Sequence, residues 1–133
     1  RRPLQRRPED DLVDPLEIMP APGQGALGVE TRADDKATRE AVQALHDKTS
    51  AAAVTEERIL LTELGGGCQA PIAAYVERGE RGAESRLYGR VTAEDGSVQL
   101  TASGEVVRKH PGPAGEIVAR LLWAEGAATL LAR

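Results

Sequence analysis

The clearest periodic pattern in the chain covers residues 51–64. Ala53, Glu57, Leu60 and Leu64 fall on one stripe, and Val54, Leu61 and Leu64 on the adjoining one, which is the spacing of an amphipathic helix. Thr49 or Ser50 stands where an N-cap belongs. Glu56 and Glu57 read as early acidic residues that suit the helix dipole. Gly65 takes the C′ position that ends a helix. A weaker helical pattern over 36–45 places Ala37, Ala41, Ala44 and Leu45 on a small apolar face, with Asp34-Asp35 as its cap. Three alternating runs follow Gly65-Gly66-Gly67. They are 71–77 (Ile72, Ala74, Val76), 86–92 (Leu87, Gly89, Val91) and 97–107 (Val98, Leu100, Ala102, Val106). Asp95-Gly96, between the last two, is a hairpin signal. Pro111 and Pro113 break the chain, and a last helix starts near Ala114, carrying Ile117, Val118, Leu121 and Leu122, with Gly126 kinking or dividing it. Ahead of all this, Arg1 to Asp14 is a polar tail, 15–22 is a proline-rich extended stretch, and 26–30 reads as a short strand.

Helices and strands come in runs, not in strict alternation. The predicted fold class is therefore α+β: a three-stranded antiparallel sheet with helices packed on one face. The length of 133 residues suits one domain. Phe is absent, and Trp123, Tyr75 and Tyr88 are the only aromatic residues, so the core must be built from Leu, Val, Ile and Ala. The net charge is −4 with both signs interspersed. No basic face with aromatic platforms is evident, so nucleic acid is not an expected partner. No apolar run reaches membrane-spanning length, so no membrane association is expected either. Cys68 is the single cysteine, which excludes an internal disulfide and favours a reducing compartment; a cytoplasmic location is expected. The first residue is Arg, not Met, as expected of a processed chain or a piece of a longer one.

Three features could carry chemistry. Gly23-Gln24-Gly25-Ala26-Leu27-Gly28 matches G-x-G-x-x-G, but prolines precede it and a strand-like run follows it. A dinucleotide site needs a strand before and a helix opening within, so a structural turn is the better reading. His46 and His110 are the only histidines, too few and too far apart with one cysteine for a zinc site. Cys68 follows Gly65-Gly66-Gly67 at a helix C-terminus, where partial negative charge disfavours a thiolate. It is either a small buried hydrophobe or, given the room its glycines leave, a point of attachment for something bulky.

Pro20-Ala21-Pro22-Gly23-Gln24-Gly25-Ala26-Leu27-Gly28-Val29-Glu30 resembles the signature segment of the porphobilinogen deaminases, also called hydroxymethylbilane synthases. His46-Asp47, Thr49 and Val54-Thr55-Glu56-Glu57-Arg58 continue the likeness. Leu64-Gly65-Gly66-Gly67-Cys68-Gln69-Ala70-Pro71-Ile72-Ala73-Ala74-Tyr75 resembles the family's cofactor-attachment loop, and Gly89-Arg90-Val91 with Asp95-Gly96-Ser97 fits the hairpin after it. The resemblance implies an enzyme of tetrapyrrole (heme) biosynthesis that condenses four porphobilinogen molecules into hydroxymethylbilane with release of ammonia. It implies a dipyrromethane cofactor, primer of the growing chain, joined by a thioether to a loop cysteine, and Cys68 matches that cysteine. A sulfur that captures an electrophilic azafulvene methylene would form a bond that water does not readily cleave. A weakly activated thiol suits such an anchor. Gln24 is the next candidate for a polar contact near the cofactor.

The family's catalytic aspartate and several of its substrate-binding cations belong to motifs that do not occur in this sequence, so no catalytic residue is assigned here. Residues 1–33 are expected to be a tail and the strand remnant of a preceding domain, and 34–133 the carboxy-terminal, cofactor-anchoring α+β domain. The expected partners are the amino-terminal domains of the same enzyme and porphobilinogen itself, and the chain alone is expected to be inactive. The alternative is a non-catalytic binding module derived from this domain, and a weaker one is a redox-sensing thiol protein.

Overall fold

The computed structural model of the protein describes residues 13–67, 69–80, 84–107 and 112–132. Its elements are α1 (Lys36–Gln43), α2 (Lys48–Glu63), β1 (Ile72–Glu77), β2 (Ser85–Thr92), β3 (Gln99–Val106), α3 (Pro113–Ala124) and α4 (Ala127–Leu131). The strands form one antiparallel sheet in the order β1-β2-β3. Ala74 lies opposite Gly89, and Gly89 opposite Ala102. The predicted meander is thus present, joined between β2 and β3 by the Asp95-Gly96 turn. There Gly96 N–H donates to Ala93 O over 2.8 Å, and Asp95 Oδ1 accepts from Ser97 N–H at 2.9 Å.

Alternation sorts the sheet into two faces. Ile72, Ala74, Val76, Leu87, Val91, Ala102 and Val106 are buried on one face, against Leu60 of α2, Leu64 just after it, and Val118, Ala119 and Leu122 of α3. The other face carries Tyr75, Tyr88, Arg86, Arg90 and Ser103, none of them buried. Both long helices lie on the inner face and against each other. A Cβ on Gly89 would come within 2.6 Å of Leu60 Cδ2 and 2.8 Å of Val118 Cγ1. At mid-sheet, then, the helices rest on backbone. A core without Phe closes in this way, by bringing small residues and bare backbone into contact in place of large rings.

Several expectations are corrected. The run 26–30 is not a strand: no ladder partner for it exists among the described residues, and Leu27 and Val29 are 98% and 59% exposed. Backbone with strand-like residues stays irregular when no neighbouring strand takes up its N–H and C=O groups. Helix α2 begins earlier than expected, because Asp47 caps it, accepting from Ser50 N–H at 2.6 Å; Thr49 and Ser50 are inside the helix. Asp ranks with the strongest caps. Helix α1 is capped by Asp35 as expected, but stops at Gln43, where Leu45 and His46 N–H tighten onto Val42 and Gln43 carbonyls. Its predicted apolar face, Ala37, Ala41, Ala44 and Leu45, is exposed, and no residue of α1 is fully buried, Val42 being half-buried. Strand β3 starts at Gln99, which leaves Val98 in the turn. Gly126 divides the final helical stretch into α3 and α4.

Candidate functional site

Helix α2 ends in a Schellman arrangement that sets the start of the glycine loop. Leu64 is the cap, Gly65 takes φ +68°, Gly65 N–H donates to Thr62 O at 2.9 Å, and Gly66 N–H to Leu61 O at 2.9 Å. Gly65 is needed for the left-handed turn. Gly66 is needed for a different reason: a Cβ there would be 2.5 Å from Ile72 Cδ1 and 2.6 Å from Leu61 Cδ1. Gly67 meets nothing within 4 Å, and its carbonyl accepts from Ala70 N–H at 3.0 Å. Cys68, between them in sequence, lies outside the described residues, as does His110.

The flanks of the loop border an open groove of about 1040 Å³. Its other walls come from Ala93 and Glu94 of the hairpin turn, from Trp123, and from residues 128–132. Trp123 is fixed by its indole, whose Nε1–H donates to Glu63 O at 3.2 Å. Among the described residues that line this groove there is no Lys or Arg.

Gln24 stands elsewhere. Its Oε1 accepts from Ala21 N–H at 3.0 Å, and its own N–H donates to Ala21 O at 3.0 Å. The side chain thereby closes the turn that the glycine-rich motif makes. Gln24 lines a second, smaller groove with Glu57, Tyr75 and Arg78, so the structure does not bring it into the groove beside the loop. No helix opens within the G-x-G-x-x-G stretch, and α1 begins only at Lys36. The motif is a pair of turns, with Gly23 and Gly25 at φ +75° and +86°. His46 is exposed in the connection between α1 and α2. Among the described residues no group of three or more His, Cys, Asp or Glu side chains could hold a metal ion.

Two residues do more than their sequence setting indicates. With α2 starting at Lys48, Glu56 and Glu57 sit in mid-helix, so the dipole reading does not hold. Glu56 is fully buried; its Oε1 accepts from Gly112 N–H at 2.6 Å and its Oε2 from Gly115 N–H at 2.8 Å. Helix α3 has no side-chain cap of its own, and Glu56 supplies one across the core, where the positive end of that helix favours a carboxylate. Glu57, 8% exposed, accepts from Gly23 N–H at 2.7 Å and Val76 N–H at 3.1 Å. Burial pushes the Glu57 carboxyl above its ordinary range, against the opposing pull of those two N–H groups. The one available signal was the acidic residue on an apolar stripe, Glu57 between Ala53 and Leu60.

The stretch ahead of these turns is docked as well. Arg90 of β2 donates from Nη2 to Leu16 O at 2.9 Å and from Nη1 to Glu17 O at 3.2 Å. Ala74 N–H, on the outer edge of β1, donates to Pro20 O at 3.0 Å.

The chain has clear relatives. A family model described as porphobilinogen deaminase, C-terminal domain, matches residues 51–123, more than half of the chain. A second, described as porphobilinogen deaminase, dipyromethane cofactor binding domain, matches residues 1–40. Porphobilinogen deaminase of Corynebacterium glutamicum is 44% identical over 122 residues, which cover 91% of this chain and 40% of the relative. Porphobilinogen deaminase 1 of Streptomyces coelicolor is 42% identical over 133 residues, covering 92% and 41%. For the Mycobacterium leprae porphobilinogen deaminase the identity is 39% over 128 residues, covering 91% and 41%. The chain spans about two-fifths of the length of these curated relatives. With the turn motif, the glycine loop and the three-stranded sheet in the order described, the chain belongs to the porphobilinogen deaminase family.

Proposed function

We propose that this chain is the primer-carrying, carboxy-terminal part of a porphobilinogen deaminase, a transferase that condenses four porphobilinogen molecules into hydroxymethylbilane with release of ammonia. Cys68 is the proposed anchor. The observation that carries the reading is the glycine loop between α2 and β1. Its first glycine ends the helix, its second lets Leu61 and Ile72 close beneath it, and its third leaves open space directly before the cysteine.

The groove beside the loop suits a pair of pyrrole rings in size and in its walls of Ala, Leu and Trp. Among the described residues that line it there is no cation to meet their acidic substituents. The dipyrromethane, when bound, supplies the pyrrole end from which the product chain grows. What this chain contributes is the tether and its orientation: the Schellman turn sets the direction in which the loop leaves α2, and Trp123 holds one wall through Glu63 O. The place of Cys68 in the chain just after the C-terminal end of α2, where partial negative charge disfavours a thiolate, favours a sulfur bonded once and then kept. In this reading Gln24 acts through the turn that its Oε1 closes.

The cations and the catalytic acid are proposed to come from the remaining length of a family-sized protein. Helix α1 with no buried residue, and Leu27, Val29 and Leu45 at 98%, 59% and 72% exposure, form apolar surface that such a partner would cover. The same features support a division of the chain, proposed at residues 33/34 on sequence grounds. The two family models, ending at 40 and beginning at 51, favour a boundary nearer the α1–α2 connection. No helix among the described residues is long and apolar enough to cross a membrane, and the proposed working place is the cytoplasm.

Intact-mass analysis tests the anchor. Purified alone, the chain should have the mass of its residues only, because no catalytic apparatus is assigned to it. Produced together with the remaining domains, it should gain one dipyrromethane, and Cys68→Ser should abolish that gain along with activity. An unmodified Cys68 in a fully active complex refutes the proposal.

A further inference from the structure

Helix α2 carries the cofactor loop at its C-terminal end and Glu57 two turns earlier. The Glu57 carboxylate is shared between two segments distant in sequence: Oε2 takes the Gly23 N–H and Oε1 the Val76 N–H. Both bonds are backbone to side chain, so no local helical rule accounts for them. Val76 and Ala74 present their outer N–H groups along the same edge of β1, and Pro20 O takes the second of these. At this edge Glu57 stands in for the carbonyl that a further strand would offer, and passes its other oxygen to the turn holding Gln24.

We infer that Glu57 is a positioning residue, whose carboxylate fixes the Gln24 turn to the helix that ends in the Cys68 loop. The inference rests on the function proposed above for its catalytic meaning, and on geometry alone for the link itself. A helix rises about 1.5 Å per residue, so the turn is held roughly 10 Å along α2 from the point where the loop departs. The distance between Gln24 and the loop is thus set by one rigid element and one side chain. Leu16, Glu17 and Pro20 are held by the sheet, but Gly23 N–H is bonded to α2 directly. Without Glu57 the stretch keeps its hydrogen bonds to the sheet and loses the Gly23 hydrogen bond to the helix, where packing beside Val54 and Arg58 remains. The charged groups around it are Arg58, next on α2, and Glu77 and Arg78 at the end of β1, all exposed.

The first test needs no substitution. In the wild-type chain, the Gly23 and Val76 amide proton shifts, followed by NMR against pH, should share one inflection, at a pH above the ordinary Glu range. Separate inflections, or none at either amide, overturn the shared-acceptor link. The second test compares Glu57→Gln and Glu57→Asp. Gln keeps the volume but offers one acceptor to two donors, and Asp falls a methylene short. Amide exchange at Gly23 should accelerate about tenfold in both, the loss expected for a hydrogen bond to a charged group, while amides in α3 keep their wild-type rates. In the intact enzyme containing this chain, Glu57→Gln should load its cofactor by mass yet turn over several-fold more slowly. Unchanged exchange at Gly23, or a loss of activity matched by the fraction unfolded, counts against the positioning role. Should the intact wild-type enzyme make no tetrapyrrole, the proposed function fails while the amide tests still decide the link.

Discussion

Each of the three glycines before Cys68 answers to a different constraint, and substitution should separate them. Gly66→Ala drives a methyl into Ile72 Cδ1 and Leu61 Cδ1 and should cost about 1–3 kcal/mol, the usual range for overpacking. Gly67→Ala meets open space and should stay within about 0.5 kcal/mol of wild type. Urea unfolding of the two variants measures the contrast. Glu56→Ala strands the Gly112 and Gly115 N–H groups in the core and should cost about 3 kcal/mol, since each orphaned buried donor is worth about 1–3 kcal/mol. The pH dependence of Glu57 has a definite sign. Its folded-state pKa is raised above the usual 4.5, so the folded chain binds this proton more tightly than the unfolded one. The stability tied to Glu57 is complete below about 4.5 and is lost as pH rises through the raised value. Wild type should therefore exceed Glu57→Gln in stability by more at pH 4 than at pH 7, as read from denaturation midpoints. Gly65 was legible in the sequence because the C′ rule is local. Glu56 and Glu57 were not, because their partners lie between 19 and 59 residues away, and nothing local announces a cap supplied by another helix.

Among the elements, those that obey a local rule were legible and those that need a neighbour were not. Strands β1, β2 and β3 were readable because alternation and the Asp95-Gly96 turn agree. Helix α2 was readable from its stripe, though Asp47 outcompetes Thr49 and Ser50 for the cap. The run 26–30 has the residues of a strand and finds no partner to pair with among the described residues. The contact between α2 and α3 is set by Gly115, where a Cβ would be 2.7 Å from Glu56 O and 2.8 Å from Ile59 Cγ2. A clash with backbone cannot be relieved by a rotamer change, so Gly115→Ala should force the two helices apart. The cost should be about 2–3 kcal/mol, seen as a lower thermal midpoint, and at least as large as that of Gly66→Ala, where flexible side-chain ends can give way. Equal stability of wild type and Gly115→Ala would mean that the helices do not approach this closely.

For the molecule as a whole, order should be uneven. The core lies between the sheet, α2 and α3, whereas α1 buries no residue. Amides in Lys36–Gln43 should exchange near the rate of a fraying helix, and those of α3 at the rate of global unfolding. On the proposed function, adding the amino-terminal domains of a family member should protect 26–45 selectively. Protection of α1 in the isolated chain to the level of α3 would contradict this division. The candidate site follows the same logic. Its loop was legible from three glycines and a cysteine, while the walls of its groove, Trp123 and the Ala93 turn, are brought together only by the folded sheet.

The stretch from Leu16 to Gly23 also has a bearing on solubility. An edge strand with open N–H groups is a template on which other chains can add. On β1 two such donors are already taken, Ala74 by Pro20 and Val76 by Glu57, and Arg90 grips the same stretch from the sheet. The docked segment, through Pro20, and Glu57 therefore together guard this edge against self-association. A protease cut within residues 13–25 should expose the edge and leave a species whose sedimentation coefficient grows with concentration, while the uncut chain's does not.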